Sequence, residues 1–110
     1  MIDIIQNTIS LYGKTVTILD ANKNTISSTK AFIQPLRSDY QSPLYEDYQQ
    51  DKSVEQFLYI GLPEVNLNQL PSGTLIQSGS KIYAIKMSET VYLSEDVIYE
   101  RAVLENYTSE

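Results

Sequence analysis

The chain contains no cysteine, no histidine and no tryptophan. Without cysteine there is no disulfide and no thiol nucleophile, and the redox compartment goes unread. Without histidine, the commonest general base and the commonest metal ligand are missing together. A Ser-His-Asp triad or a zinc site of the usual kind cannot be assembled from this chain alone. The glycines Gly13, Gly61, Gly73 and Gly79 are all isolated. There is accordingly no phosphate-cradling loop, no GxGxxG fingerprint and no nucleophile elbow. No run approaches the roughly 18 consecutive apolar residues of a membrane span. The opening "MIDIIQNTIS" carries an acid where a signal peptide would carry basic residues, which predicts no export by that route.

What is present suits one small folded domain. The chain has 110 residues, 42% of them hydrophobic, enough for a single core of modest depth. The formal net charge is -6 and the pI is about 4.5. Phosphate affinity is carried by Lys and Arg, so this balance argues against specific nucleic-acid binding. Acidity of this size serves solubility.

Periodicity predicts the elements. "IDIIQNTISLYG" places Ile2, Ile5 and Ile9 at helical spacing, with Leu11 and Tyr12 close to the same stripe and Gly13 as a stop, so a short amphipathic helix is expected over 2–12. "KTVTILD" alternates, "DANKN" reads as a turn, and "TISSTKAFIQPL" rises to a second strand ending near Pro35, giving a hairpin over 14–35. "SVEQFLYIGL" is a strand with Phe57 and Tyr59 on one face and Leu58 and Ile60 on the other. "TLIQSGSKIYAIKM" is a hairpin closing at "SGS", with Tyr83, Ile85 and Met87 sharing a face of its second arm. "SETVYLSED" predicts a separate short strand at 90–93. "VIYERAVLENY" sets Ile98, Ala102 and Leu104 against Tyr99, Arg101 and Val103, which suits a strand, although a short helix would give the same run. The expected fold is mainly β. It is a small antiparallel β-barrel or sandwich of six or seven short strands with a short N-terminal helix, in one domain over 1–110. The barrel occupies 14–107, with a long loop inserted at about 37–52.

Candidate chemistry is sparse. Asp20, Asn22 and Asn24 match the first ligand positions of a calcium loop, but Thr25 stands where that loop needs glycine and Ala31 where it needs glutamate. Asp39, Glu46, Asp47 and Asp51 supply carboxylates without a lined cleft to hold a pair rigid. "NYT" at Asn106 is a formal glycosylation triplet of a kind that arises often by chance. No catalytic residue, cofactor site or metal site is assigned.

Tyrosine is the remaining feature, nine residues against two phenylalanines. Tyr59, Tyr83, Tyr92 and Tyr99 lie in strand patterns and are expected in the core. Tyr40, Tyr45 and Tyr48 lie with Leu44 in the acidic segment "RSDYQSPLYEDYQQDK", outside any strand pattern. Tyrosine is favoured at interfaces because it is amphipathic and loses little entropy when fixed. A segment of this length is long for a compact domain. Its charge predicts a stretch that orders on a partner. The candidate interface residues are therefore Tyr40, Leu44, Tyr45 and Tyr48, joined by Ile2, Ile5 and Ile9 if the helix docks on a partner instead of on its own core.

The order of these pieces carries a resemblance. An N-terminal amphipathic segment leads into "GKTVTILD", a polar hairpin returns through "AFIQPL", and after the loop come "FLYIGLPEVNL" and "LPSGTLIQSGSKIYAIKMSETVYLSEDVIYERAVL". This order resembles small head–tail connector or head-completion (neck) proteins from the morphogenesis module of Firmicutes bacteriophages and prophages. The resemblance spans nearly the whole chain and rests on structural positions. It implies a small barrel with peripheral loops and a non-enzymatic role. It also implies a homo-oligomeric ring that touches its neighbours laterally and another phage structural protein axially. The expected location is the virion, assembled in the bacterial cytoplasm, with no membrane contact. Tail terminators and other tail-tube-associated rings share these features. A reading from another class is a monomeric small β-barrel binding module, and an enzyme is disfavoured by the missing His and Cys.

Overall fold

A computed structural model describes residues 2–36 and 55–107 of the chain. The N-terminal helix α1 spans Ile2–Tyr12. Six strands follow: β1 Lys14–Leu19, β2 Thr25–Pro35, β3 Gln56–Gly61, β4 Leu75–Ser78, β5 Lys81–Leu93 and β6 Asp96–Asn106. They close an antiparallel barrel in the order β1-β2-β3-β6-β5-β4. Of the two expected β architectures, the molecule adopts the barrel. Strands 1–3 are joined in sequence, and the fourth returns by a long connection to lie beside the first, which is a Greek key.

β3 and β4 do not pair, so residues 62–74 must cross one end of the barrel. The crossing carries a 3-10 turn at Leu67–Gln69, begun by Asn66, whose side chain accepts from the Asn68 amide. Leu67 drops into the core beside Val16, Ile18, Tyr59, Ile76 and Leu104. The crossover thus plugs its end of the barrel, while among the described residues no connection crosses the opposite end, at the β4–β5 turn.

Staggered pairing gives the barrel its coil. Ala31 of β2 pairs with Lys14 of β1 and with Gly61 of β3. Below it β2 follows β1, and above it β2 follows β3. α1 joins β1 through Gly13, whose N–H donates to the Ile9 carbonyl at 2.8 Å. A side chain at Gly13 would fall 2.6 Å from that carbonyl oxygen and 3.1 Å from the Ala31 backbone. The helix packs on β2 and β6. The Gln6 side-chain amide donates to the carbonyls of Val97 and Ile98 at 3.3 and 3.2 Å. These β6 residues run past the end of β3, and Gln6 covers an edge that would otherwise be bare.

Several local expectations change in the fold. The polar stretch at 88–90 does not end a strand, and β5 runs unbroken to Leu93. Met87 does not share the inward face of Tyr83 and Ile85, because the register slips between Ile85 and Met87. This bulge turns Met87 outward, 54% exposed, and turns Ser88 and Thr90 inward opposite Ala102 and Glu100. Tyr92 is exposed and not in the core, because a second slip lies at Val91/Tyr92. Leu11 and Tyr12 leave the stripe of Ile5 and Ile9 and are each 73% exposed. Tyr59 and Tyr83 are buried as expected, and Tyr99 is half-buried. "DANKN" is a turn. Asp20 Oδ1 accepts from the amides of Asn22 and Asn24 at 2.9 Å each, and those bonds hold its carboxyl below the usual range.

Candidate functional site

The interior is built in layers, because residues two apart on a strand face the same way. In the middle the inward residues are apolar: Val16, Ile18, Phe57, Ile76, Tyr83, Ala102 and Leu104. Toward the plugged end the same parity delivers polar groups. β6 presents Glu100 between Ile98 and Ala102, and β5 presents Ser88 and Thr90 after its bulge. β2 presents Thr29, and β3 presents Tyr59 and then Gly61.

Glu100 is 1% exposed. Thr90 Oγ1 lies 3.0 Å from both carboxylate oxygens. The Leu67 amide also bonds this carboxyl, so the plug and the carboxyl fix one another. Asn68 extends the network. It donates to Thr90 Oγ1 at 3.4 Å and accepts from Ser88 Oγ at 2.6 Å. On the far side of the plug, Thr29 Oγ1 donates to Glu64 Oε2 at 2.6 Å. The Tyr59 hydroxyl sits in the field of Glu100 and Glu64. It is fully buried and has no hydrogen-bond partner among the described residues. Burial first, then the two carboxylates, push its phenol up.

Burial likewise raises the Glu100 pKa, against the pull of the Thr90 and Leu67 bonds. The sign of the consequence is fixed by linkage. A carboxyl raised above its ordinary value of 4.5 binds its proton more tightly folded than unfolded. Its contribution to stability is complete below that value and is lost as pH climbs through the folded pKa. Glu100→Gln mimics the protonated form. The melting temperature of the wild type is expected to fall, relative to that variant, between pH 4.5 and neutrality. Parallel melting curves over this range would show that the carboxyl stays ionised in the fold.

The open end has a different chemistry. A cavity of 380 Å³ lies there, walled by Ala31, Ile33, Phe57 and Tyr83, with Lys14 and Lys81 also lining it. Lys14 shares the inward parity of Val16 and Ile18, and Lys81 that of Tyr83. The outermost inward positions of β1 and β5 are therefore both lysine. Phe57 and Tyr83 meet edge to face at 5.0 Å. Burial, and secondarily Glu55, raise the Tyr83 phenol pKa. Among the described residues neither lysine is in an ion pair, whereas Lys86 and Arg101 pair with Glu105 and Glu89.

The expected interface residues divide. Tyr40, Leu44, Tyr45 and Tyr48 lie outside the described residues, as does the side chain of Ile2. The anchors of their segment are described, and they sit at the open end, where the Leu36 N–H donates to the Gln56 carbonyl at 2.8 Å. Ile9 is 2% exposed and belongs to the protein's own fold, which corrects its assignment to an interface. Ile5, one turn before it, is half-buried. The helix instead exposes Ile4, Leu11 and Tyr12. Ile4 and Leu11 are seven apart and so share a face. The second stripe was readable in "IIQNTISLY" as a repeat of spacing beside the first. From Val91 to Leu93 and from Asp96 to Tyr99, β5 and β6 pair only with each other. This ribbon exposes Tyr92 and Leu93. Its Val97 carries the Gln6 bond, so the first turns of α1 lie beside it.

Among the described residues no group of three or more carboxylates converges to hold a metal ion. No helix among them is long and apolar enough to cross a membrane. No protein-family model, no curated protein and no solved structure matches this chain.

Proposed function

We propose that the protein is a non-enzymatic structural subunit that acts through protein–protein contacts, assembled with copies of itself into a ring at the head–tail junction of a phage-type particle. The observation that carries the reading is the second apolar stripe of α1. A surface helix normally has one apolar face and buries it. Here Ile9 serves the barrel and Ile5 is half-buried beside it, and Ile4, Leu11 and Tyr12 remain exposed, uncovered by the other described residues. The exposed Tyr92 and Leu93 on the neighbouring ribbon enlarge the apolar surface available to a second copy. Large apolar side chains exposed in clusters mark contact surfaces. Closure of the barrel leaves its main-chain ladders mostly paired within the chain, so contacts between subunits fall to such side chains. Placement at the neck rests on the order of elements described above. A tail-terminator ring would use the same surfaces.

Leu11→Lys combined with Tyr12→Ser tests the reading. Both sites are exposed, and a lysine in the last helical turn suits the helix dipole, so stability is expected to change by less than about 0.5 kcal/mol. Sedimentation and negative-stain images are expected to show rings for the wild type and monomers for the variant. A wild type that stays monomeric at high concentration points to a monomeric barrel module instead. A variant that still forms rings places the contact elsewhere on the barrel.

A further inference from the structure

We propose that the open end of the barrel is a binding site for a small apolar carboxylate, its hydrocarbon lying against Phe57 and Tyr83 and its carboxylate meeting Lys14 and Lys81. The proposal is independent of assembly into rings. It begins with an anomaly of pattern. An inward position is normally apolar, and this barrel obeys that rule through its middle. At the open end both β1 and β5 put lysine there. A lysine that only served solubility would be as useful on the outward parity, at Thr15 or Ile82, where it would not line a cavity. The chain has only eight Lys and Arg residues against fourteen acids. Two of those eight converge on one mouth, without ion-pair partners among the described residues.

The walls define the rest of the ligand. Phe57 and Tyr83 are almost fully buried and locked edge to face, so the apolar surface is preformed. Ile33 and Ala31 complete it. A volume of 380 Å³ lies in the range of small-molecule sites, which combine apolar walls with a few polar groups that fix orientation. Ser78 and Ser80 at the β4–β5 turn also line the cavity and supply hydroxyl donors beside the lysines. A bare anion would leave the aromatic wall unused, and a hydrocarbon without charge would leave the lysines unused. An aliphatic or aryl acid uses both. Nucleic acid is disfavoured by the net charge of -6, which repels a polyanion beyond the mouth itself.

Hexanoate is the probe. Titration of the isotope-labelled full chain, followed by amide shifts, is expected to give saturable changes centred on Ala31, Ile33, Phe57 and Tyr83. Hexanamide, with the same hydrocarbon and no charge, is expected to bind at least 10-fold more weakly, and so is inorganic phosphate. Lys14→Ala with Lys81→Ala is expected to weaken hexanoate at least 10-fold while leaving hexanamide unchanged. Lys14→Gln with Lys81→Gln keeps the stems and is expected to lose hexanoate equally, which separates charge from packing if the alanine pair melts early. The proposal is overturned if hexanoate moves no resonance at the mouth, or if hexanamide binds as well as the acid. It is equally overturned if phosphate matches hexanoate, or if both lysine pairs bind hexanoate like the wild type.

Discussion

Ile9→Asp is expected to lower stability by about 4 kcal/mol, the sum of a lost buried isoleucine and a carboxylate placed where no partner waits. Ile9 is one of the largest fully buried side chains, although it lies on the only α-helix of the described residues. Its position is held at two points. Gly13 closes the helix tightly onto Ala31, and Gln6 ties the first turns to Val97 and Ile98. The helix therefore cannot tilt to carry a charge outward without giving up those contacts. A domain of this size has a total stability of about 5–15 kcal/mol, so the substitution removes a large fraction of it. Thermal melts should show a fall of roughly 15 °C or more. Leu11→Asp on the same helix should change stability by less than about 1 kcal/mol, because its side chain is already in solvent. Equal effects at the two sites would mean that the helix does not pack on the barrel through Ile9.

Gly61→Ala is the second large effect. A methyl group at Gly61 would stand 2.6 Å from Cζ of the Tyr59 ring, with the Tyr59 hydroxyl closer still. Both residues face inward from β3, and Tyr59 is 0% exposed. The ring is buried and cannot swing into solvent, so the strain passes to the packing around it. Overpacking of this kind costs about 3 kcal/mol. The hydroxyl adds a twist. It is buried without a partner among the described residues, and an unmade hydrogen bond in the interior is itself unfavourable. Tyr59→Phe is therefore expected to stabilise the protein by about 1 kcal/mol. In that background Gly61→Ala is expected to cost about 1 kcal/mol less, since the nearest atom is gone. Denaturant melts of the two single variants and the double variant measure the coupling. Strict additivity would show that the hydroxyl is not part of the clash and that the ring atoms or the backbone carry it.

Local sequence determined a good part of this protein. The helix over 2–12, the hairpin over 14–35, the turn at "DANKN", the hairpin at "SGS" and the strand through Phe57 and Tyr59 all follow from period and turn chemistry. Each depends only on interactions within a few residues. The alternation of Ile98, Ala102 and Leu104 even places Glu100 on the inward parity, a buried carboxyl that the spacing of its neighbours announces. Lys14 and Lys81 are announced in the same way.

What alternation cannot say is which face a strand keeps when its partner slips by a residue. The bulge between Ile85 and Met87 lies in the pairing of β5 with β6, and such bulges bend and coil a strand. It exchanges Met87 for Ser88 and Thr90 in the interior, and the slip at Val91/Tyr92 puts Tyr92 outside. Those outcomes belong to pairing between distant segments. The same holds for the crossover of residues 62–74, which becomes a plug only because β3 and β4 are not neighbours. Once Leu67 closes one end, Glu100 and Tyr59 are sealed from water while the lysines at the other end stay wet. Two sets of inward polar residues with the same local signature thus acquire opposite environments. Parity along a strand is a local property, whereas distance from solvent is set by how the whole barrel closes.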